Sequence, residues 1–344
     1  MTSARTERRR ATAERGGRED GSAQAPISFG SRPADPDRCA ATTDPFMAFA
    51  ASVILVTYQS QNEIGRCLGH LLESTVPLEV LVVDNASSDG TGREVERLLG
   101  RFAGSRFVRN DRNVGFARAV NQGIAASTGE FILLLNPDCY VDPRAVEAAV
   151  RALQEDAGAG MAGCLLLNPD GSEQQGARRY IPTPWRALMR VLKFDHLFPR
   201  VRRLSGFVMV EEPLPDRTVA IEAVSGAFMM VRRQALAEVG VLDEAYFMHC
   251  EDLDWCMRFK QKGWRVLFVP AARAVHDRGR SSSTRPVRVE WHKHRGMVRF
   301  YRKFFRHRYP GILMWLVTGA VYGRFLAKAV AIFVTERLRA RSRR

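Results

Sequence analysis

Glu251, Asp252 and Asp254 crowd the stretch Tyr246-Phe247-Met248-His249-Cys250-Glu251-Asp252-Leu253-Asp254-Trp255-Cys256-Met257-Arg258. Carboxylates pressed against one another and against apolar walls resist ionisation, so one of them can acquire the proton affinity of a general base. The plainer alternative is that these acids complement a helix dipole. Asn136 and Asp138 stand one residue apart behind the apolar run 131–135. Two hard oxygen ligands so spaced on extended backbone can face one cation, and Mg2+ or Mn2+ shared with a diphosphate needs few such ligands. An Asn-Pro-Asp turn would read the same way. Asp84 and Asn85 close the run 80–84, where a carboxylate can accept hydrogen bonds from a ribose or a base imide, or merely form an Asx turn ahead of Thr91. Asn113-Val114-Gly115 turns into a helical pattern whose first amides, with Arg112 and Arg118 nearby, suit a diphosphate, although neither P-loop nor GxGxxG spacing is present. His276, beside Asp277 and beyond a turn at Pro270, completes the candidates, although a lone histidine is more often structural.

Those side chains need elements to hold them. Near-continuous aliphatic and β-branched runs at 53–58, 80–84, 106–109 and 131–135 predict strands buried on both faces. Helical patterns near 62–74, 91–100, 115–126 and 143–154 separate them. The alternation predicts an α/β protein with right-handed βαβ units and a mostly parallel, Rossmann-like sheet flanked by helices. Ligands of such sheets sit outside the carboxyl ends of the strands, which directs attention to Thr57, Asp84 and Asn136. Residues 155–218, broken by prolines and made polar by Arg178, Arg179, Arg200, Arg202 and Arg203, read as a loop-rich insertion with a mobile acceptor-side segment. A strand over 219–231, a helix over 251–262 and a strand over 264–269 return the chain to the core.

An apolar share of 46% with 26% charged residues excludes wholesale disorder and collagen-like repeats in these 344 residues. The net charge of +15 is unevenly spread, with 28 residues of each sign over 47–284 and 16 basic against 2 acidic residues over 285–344. A neutral enzyme-sized domain, 47–284, thus carries a basic C-terminal region, 285–344. Residues 1–46 read as a disordered extension without the apolar core of a signal peptide, and Met47 is a candidate start. Six cysteines without a CxxC pair read as reduced cytosolic thiols. In the basic region Arg288, Arg295, Arg299, Arg302 and Arg306 share one helical stripe, opposite Met297, Val298, Phe300, Tyr301, Phe304 and Phe305; His292 and His294 lie in that helix and carry no assignment. The uncharged run 309–323 has 15 residues, short of the roughly 20 that span a bilayer, and Arg324 and Lys328 interrupt its continuation. An interfacial helix is therefore expected, with Arg337, Arg339, Arg341, Arg343 and Arg344 on an anionic membrane surface.

The succession VILVTYQSQNEIGRCL, VDNASSDGT, NVGFARAVNQGI, LLLNPD, VSGAFMMVRR, DEAYFMHCEDLDWCMR and GWRVLFVPAARAVH resembles the inverting family 2 glycosyltransferases, especially bacterial rhamnosyltransferase-like and galactofuranosyltransferase-like members, from about Ser52 to His276. The resemblance implies a GT-A fold and metal-dependent transfer of a sugar, with inversion, from a nucleotide-sugar donor. It implies that Thr57, Tyr58, Asp84 and Asn85 bracket the nucleoside, and that Asn113, Gly115 and Asn121 line the donor cleft. Asn136 and Asp138 stand at the family's DxD metal motif, His276 at a histidine that completes the site, and Asp252 at the base that deprotonates the acceptor hydroxyl. Asparagine at the first DxD position points to Mg2+ or Mn2+ held more by the diphosphate. dTDP-rhamnose is the first donor expected, with a lipid-linked or oligosaccharide acceptor of cell-envelope polysaccharide synthesis at the cytoplasmic face of the bacterial plasma membrane. Two other classes remain open: a nucleic-acid binder, which gives the acids at 251–254 no use, so that no nucleic acid is expected, and a Rossmann-type methyltransferase or dehydrogenase, which lacks its glycine fingerprint.

Overall fold

The computed structural model describes residues 49–191, 209, 212–278 and 286–342; the readings of the N-terminal 46 residues and Met47, and of Arg200, Arg202, Arg203, Arg343 and Arg344, lie outside them. The chain begins with β1 (Ala51–Thr57), α1 (Gln61–Leu72), β2 (Leu78–Asp84), α2 (Thr91–Leu99), β3 (Arg106–Arg109), α3 (Phe116–Ala126) and β4 (Phe131–Leu135). β1, β2 and β4 are buried along their whole length, as unbroken apolar runs covered by helices on both faces require. Next come β5 (Cys139–Val141), α4 (Ala145–Glu155), β6 (Ala159–Leu167), β7 (Arg178–Arg179) and α5 (Pro184–Val191). Then follow β8 (Val219–Ile221), β9 (Ala223–Val224), β10 (Phe228–Arg232), α6 (Arg233–Val239), α7 (Glu251–Gln261), β11 (Arg265–His276), α8 (Pro286–Phe305) and α9 (Gly311–Ser342).

The nine-stranded sheet runs β3-β2-β1-β4-β10-β6-β11-β5, with β8 on β11. β3, β2, β1 and β4 are mutually parallel; β10 is antiparallel to β4 and β6, and β11 parallel to β6. Three expectations change. β6, a full-length central strand, lies inside the stretch read as loops. The single strand expected over 219–231 is three, because the chain turns at Ser225, Gly226 and Ala227 to start β10. β11 does not end at Pro270 but continues to His276. Its register against β6 shifts between Val269 and Arg273, and a proline, which donates nothing to the ladder, is tolerated in such a bulge.

One face of the sheet packs on α1, α2 and α4 and the other on α3, α6, α7 and α8. α8 buries Val298, Phe300, Tyr301 and Phe305 against the second face, and each such side chain contributes about 1.5–3 kcal/mol. Its apolar side therefore completes the core and is not available to a lipid surface. α9 is the element that exposes apolar surface, with Ile312, Trp315, Leu316, Leu326, Val330 and Phe333 open. It continues unbroken past Lys328, which pairs with Glu290 of α8 at 2.8 Å. Its 28-residue apolar stretch, Gly311–Leu338, extends about 42 Å at 1.5 Å per residue, long enough to cross a bilayer.

Candidate active site at the carboxyl edge of the sheet

Register brings the candidates to one edge. Thr57 pairs with Asp84, Leu135 with Leu55 and Phe228, and His276 with Cys139. Thr57 and Asp84 are fully buried. Thr57 Oγ1 donates to Asp84 Oδ1 at 2.8 Å, and Ser87 N donates to Asp84 Oδ2 at 3.0 Å. These two residues spend their polar atoms on each other and on Ser87; the half-buried positions beside them are Tyr58, Gln59 and Ala86, the last in the left-handed region at φ 61°. Asn85 Nδ2 donates to Gly115 O at 3.3 Å, and Asn113 Oδ1 accepts from Gly115 N at 3.0 Å. Gly115 itself, at φ 92°, lies so close to Phe247 that a Cβ would meet its carbonyl oxygen at 2.8 Å. Glycine alone fits this entry into α3. Asn121 is committed elsewhere: its amide exchanges hydrogen bonds with Leu242 N and O at 3.1 and 2.9 Å and reaches Glu244 at 3.1 Å. It positions the loop ahead of α7.

Asp138 and His276 are both buried, with His276 Nε2 3.2 Å from Asp138 Oδ1. Gln174 sets the imidazole. Its Nε2 is held between His276 O at 2.8 Å and Asn168 Oδ1 at 3.0 Å, so its Oε1 faces His276 Nδ1 at 2.7 Å. Nδ1 must then carry the proton, and the Nε2 lone pair of a neutral ring is turned to the Asp138 carboxylate. Two acceptors at that distance call for a cation between or beside them, a proton or a divalent ion, and oxygen with imidazole nitrogen is a donor set that suits Mn2+. Asn136, half-buried next along the chain, makes no side-chain hydrogen bond among the described residues. Among those residues no preassembled cluster of three His, Cys, Asp or Glu is found, so further ligands would come from Asn136 and from a bound diphosphate.

Asp252 opens α7, after His249 and Cys250 at φ 65° and 71°. Two successive non-glycine residues in the left-handed region are costly and mark a functional turn. Asp252 Oδ1 accepts from Leu253 N at 2.8 Å, while Oδ2 accepts from Gly226 N at 3.3 Å and from Arg179 Nη2. Burial alone would raise its proton affinity, but the Arg179 guanidinium prevails and holds the carboxyl below its ordinary range. Glu251 moves the opposite way, raised by burial and then by the Asp252 charge, and its Oε2 has no hydrogen-bond partner among the described residues. The pair thus carries one negative charge near neutrality, on Asp252. The expectation that crowding raises one carboxyl holds for Glu251, not for the residue placed as base. Asp254 is wholly buried in ion pairs with Arg258 at 2.7 Å and Lys303 at 2.6 Å and is structural.

Arg278, whose Nη2 donates to Gln175 O, feels both halves: burial and then Arg179 lower its proton affinity, and Asp138 and Asp252 raise it. Arg179, Gln174 and Arg278 were invisible as site residues in the sequence, where Arg178 and Arg179 only made a loop polar. The partner of Arg179 lies 73 residues away, and that of Gln174 102.

Residues 52–240 match the profile of Glycosyl transferase family 2. An N-acetylglucosaminyl-diphospho-decaprenol L-rhamnosyltransferase of Mycobacterium tuberculosis is 31% identical over 247 residues, covering 68% of this chain and 78% of the relative. A rhamnosyltransferase of Escherichia coli K12 is 24% identical over 65% of this chain and 82% of its own. In structure, a mannosyltransferase of Pyrobaculum calidifontis in complex with GDP-Man and Mn2+ superposes with a TM-score of 0.54 at 19% identity, covering 86% of this chain and 82% of that one; the likeness extends to the fold. Nothing here favours the nucleic-acid or methyltransferase alternatives.

Proposed function

The chain belongs to Glycosyl transferase family 2, and on that premise we propose that it transfers L-rhamnose from dTDP-rhamnose to a sugar carried on a prenyl diphosphate, with inversion, at the cytoplasmic face of the membrane. The donor and acceptor classes are taken from the names of its rhamnosyltransferase relatives. One observation carries the chemistry: Asp252, paired with Arg179 and bonded by Gly226 N, and Asp138, 3.2 Å from His276 Nε2, stand at the same end of the sheet, where Asn136 N donates to Ala227 O at 3.0 Å.

Tyr58, Asn85 and the paired Thr57 and Asp84 receive the nucleoside, and the turn Asn113 to Gly115 borders the sugar-diphosphate. Asp138 and His276, with Asn136, would hold Mg2+ or Mn2+, which neutralises charge growing on the departing nucleoside diphosphate. Asp252 accepts the proton of the acceptor hydroxyl as that oxygen attacks the anomeric carbon opposite the leaving group. Gly226 N and Leu253 N fix the carboxylate for in-line attack, and closeness of the partners supplies much of the rate. α9 lays its open apolar face in the membrane, with Arg337 at its end on anionic lipid. The test is a panel of sugar nucleotides given to the purified protein with N-acetylglucosaminyl-diphospho-decaprenol and Mn2+. Product from dTDP-rhamnose, with the anomeric configuration inverted by NMR, is expected; transfer from another sugar nucleotide, with none from dTDP-rhamnose, rejects the donor.

A further inference from the structure

A second group of cations lies on the other side of the loop that leads to Asp252. Between residues 245–247 and α8 a cavity of about 550 Å3 opens, and Arg295, Arg299, Arg302 and Lys303 reach it from successive turns of the helix. Asp243 binds Arg299 at 2.8 Å and Lys303 at 2.9 Å, and Lys303 also meets Asp254. Arg295 and Arg302 form no ion pair among the described residues, so two positive charges are left without a counterion. His292, its ring stacked 4.3 Å from that of Phe247, registers this surplus: burial and then Arg288 and Arg295 lower its proton affinity.

The cavity abuts the catalytic turn. Gly296 of α8 stands where a Cβ would lie 2.8 Å from His249 O, three residues before Asp252. Phe247 O accepts from Phe116 N at 2.7 Å at the start of α3, so Phe247, which lines this cavity, also touches the turn at Gly115 that borders the donor in the proposed function. On its outer flank the cavity is lined by Tyr322 of α9, the helix whose apolar face is open. Unbalanced guanidinium charge, the turn that leads to the base and a helix with an open apolar face thus meet in one place. We propose that this cavity binds the diphosphate of the lipid-linked acceptor, with Arg295 and Arg302 on its phosphoryl oxygens, the prenyl chain along α9 and the sugar directed past Phe247 to Asp252. Guanidinium is the cation best matched to phosphoryl oxygens. The donor's own diphosphate belongs, in the proposed function, to the turn Asn113 to Gly115. The proposal rests on the reading of the acceptor as a prenyl diphosphate.

The full-length double variant Arg295→Gln, Arg302→Gln tests it beside wild type, with dTDP-rhamnose and N-acetylglucosaminyl-diphospho-decaprenol. The acceptor KM is expected to rise at least about tenfold, the loss of one charge-assisted contact or more, with kcat and donor KM unchanged. With octyl N-acetylglucosaminide, which has no diphosphate, the two proteins are expected to be alike. Calorimetric binding of farnesyl diphosphate reads the cavity without turnover and is expected to weaken by the same factor. Equal farnesyl diphosphate affinity overturns the proposal, even if binding to phosphatidylglycerol vesicles falls, which would assign the arginines to bulk lipid. A raised donor KM also overturns it. Absence of transfer in wild type itself would count against the donor and acceptor reading, not against the cavity.

Discussion

Arg179→Ala should convert the pH dependence of transfer, because one guanidinium sets the ionisation of Asp252. Both side chains are about one-sixth exposed, at 18% and 16%, so solvent screens the pair only in part. Removing the guanidinium leaves burial opposed only by the Leu253 and Gly226 amides, and the folded-state pKa of Asp252 must rise. A base must be deprotonated to act, so the acid limb of kcat/KM moves to higher pH. The movement should be at least about one pH unit, the lower end of what an arginine at this range does to a carboxyl. At a pH below both limbs the variant is then at least about tenfold slower than wild type, which is about 1.4 kcal/mol. On the alkaline plateau the stronger base keeps its rate. The same change weakens the fold, since a depressed carboxyl stabilises the native state above its unfolded pKa and loses that contribution as pH falls through the folded value; breaking a buried pair costs about 3–5 kcal/mol, and partial exposure puts this one at or below the lower end. Arg179→Lys should restore part of the acid limb. The assay is the kcat/KM profile from about pH 3 to 9, which spans the limbs of both proteins, with circular dichroism to confirm the fold at each pH. An acid limb that stays in place in a folded Arg179→Ala protein would refute the control of Asp252 by Arg179.

Gln174→Leu frees the imidazole of His276 to take either tautomer, and the Mn2+ concentration at half-maximal donor binding should rise about 10–100-fold, as for other partners of metal-binding histidines; an unchanged midpoint in calorimetry contradicts the assignment. Gly115→Ala forces a Cβ into the carbonyl of Phe247 at a positive φ and should cost about 1–3 kcal/mol, read as a lowered midpoint in urea. Truncation before Gly311 removes the open apolar helix and should move the protein from the membrane pellet to the supernatant; retention in the pellet contradicts attachment through α9.

Where strands are covered on both faces the sequence spoke clearly, and β1, β2 and β4 fall within two residues of their expected bounds; β3 has its expected bounds but is a half-exposed edge strand, not one buried on both faces. β6 escaped because its first half is largely glycine and alanine. Those residues are small for a reason visible only in three dimensions: a Cβ at Gly160 would meet Phe259 at 2.8 Å, and one at Gly163 would strike Val224. Pro270 hid the end of β11, since a bulge and a turn look alike in one dimension. Arg324 and Lys328 seemed to end the apolar helix, yet Lys328 has its counterion on α8, a partner that no local pattern announces. The site divided in the same way. Asp84, Asn136, Asp138 and Asp252 were legible because acids and amides at strand or helix ends are local signals. Arg179 and Gln174 act on residues far along the chain and give none.

The role of Asp252 is tested most directly by Asp252→Asn, which keeps the shape of the side chain and, through its carbonyl oxygen, the contact with Leu253 N, while an NH2 replaces the oxygen that accepts from Gly226 N and Arg179 and the proton acceptor is removed. Calorimetry with dTDP-rhamnose and Mn2+ should show donor affinity within a few-fold of wild type, and transfer to the prenyl-linked acceptor should fall by about 10²–10⁴, the usual share of a general base. Transfer near the wild-type rate by that variant would contradict the assignment.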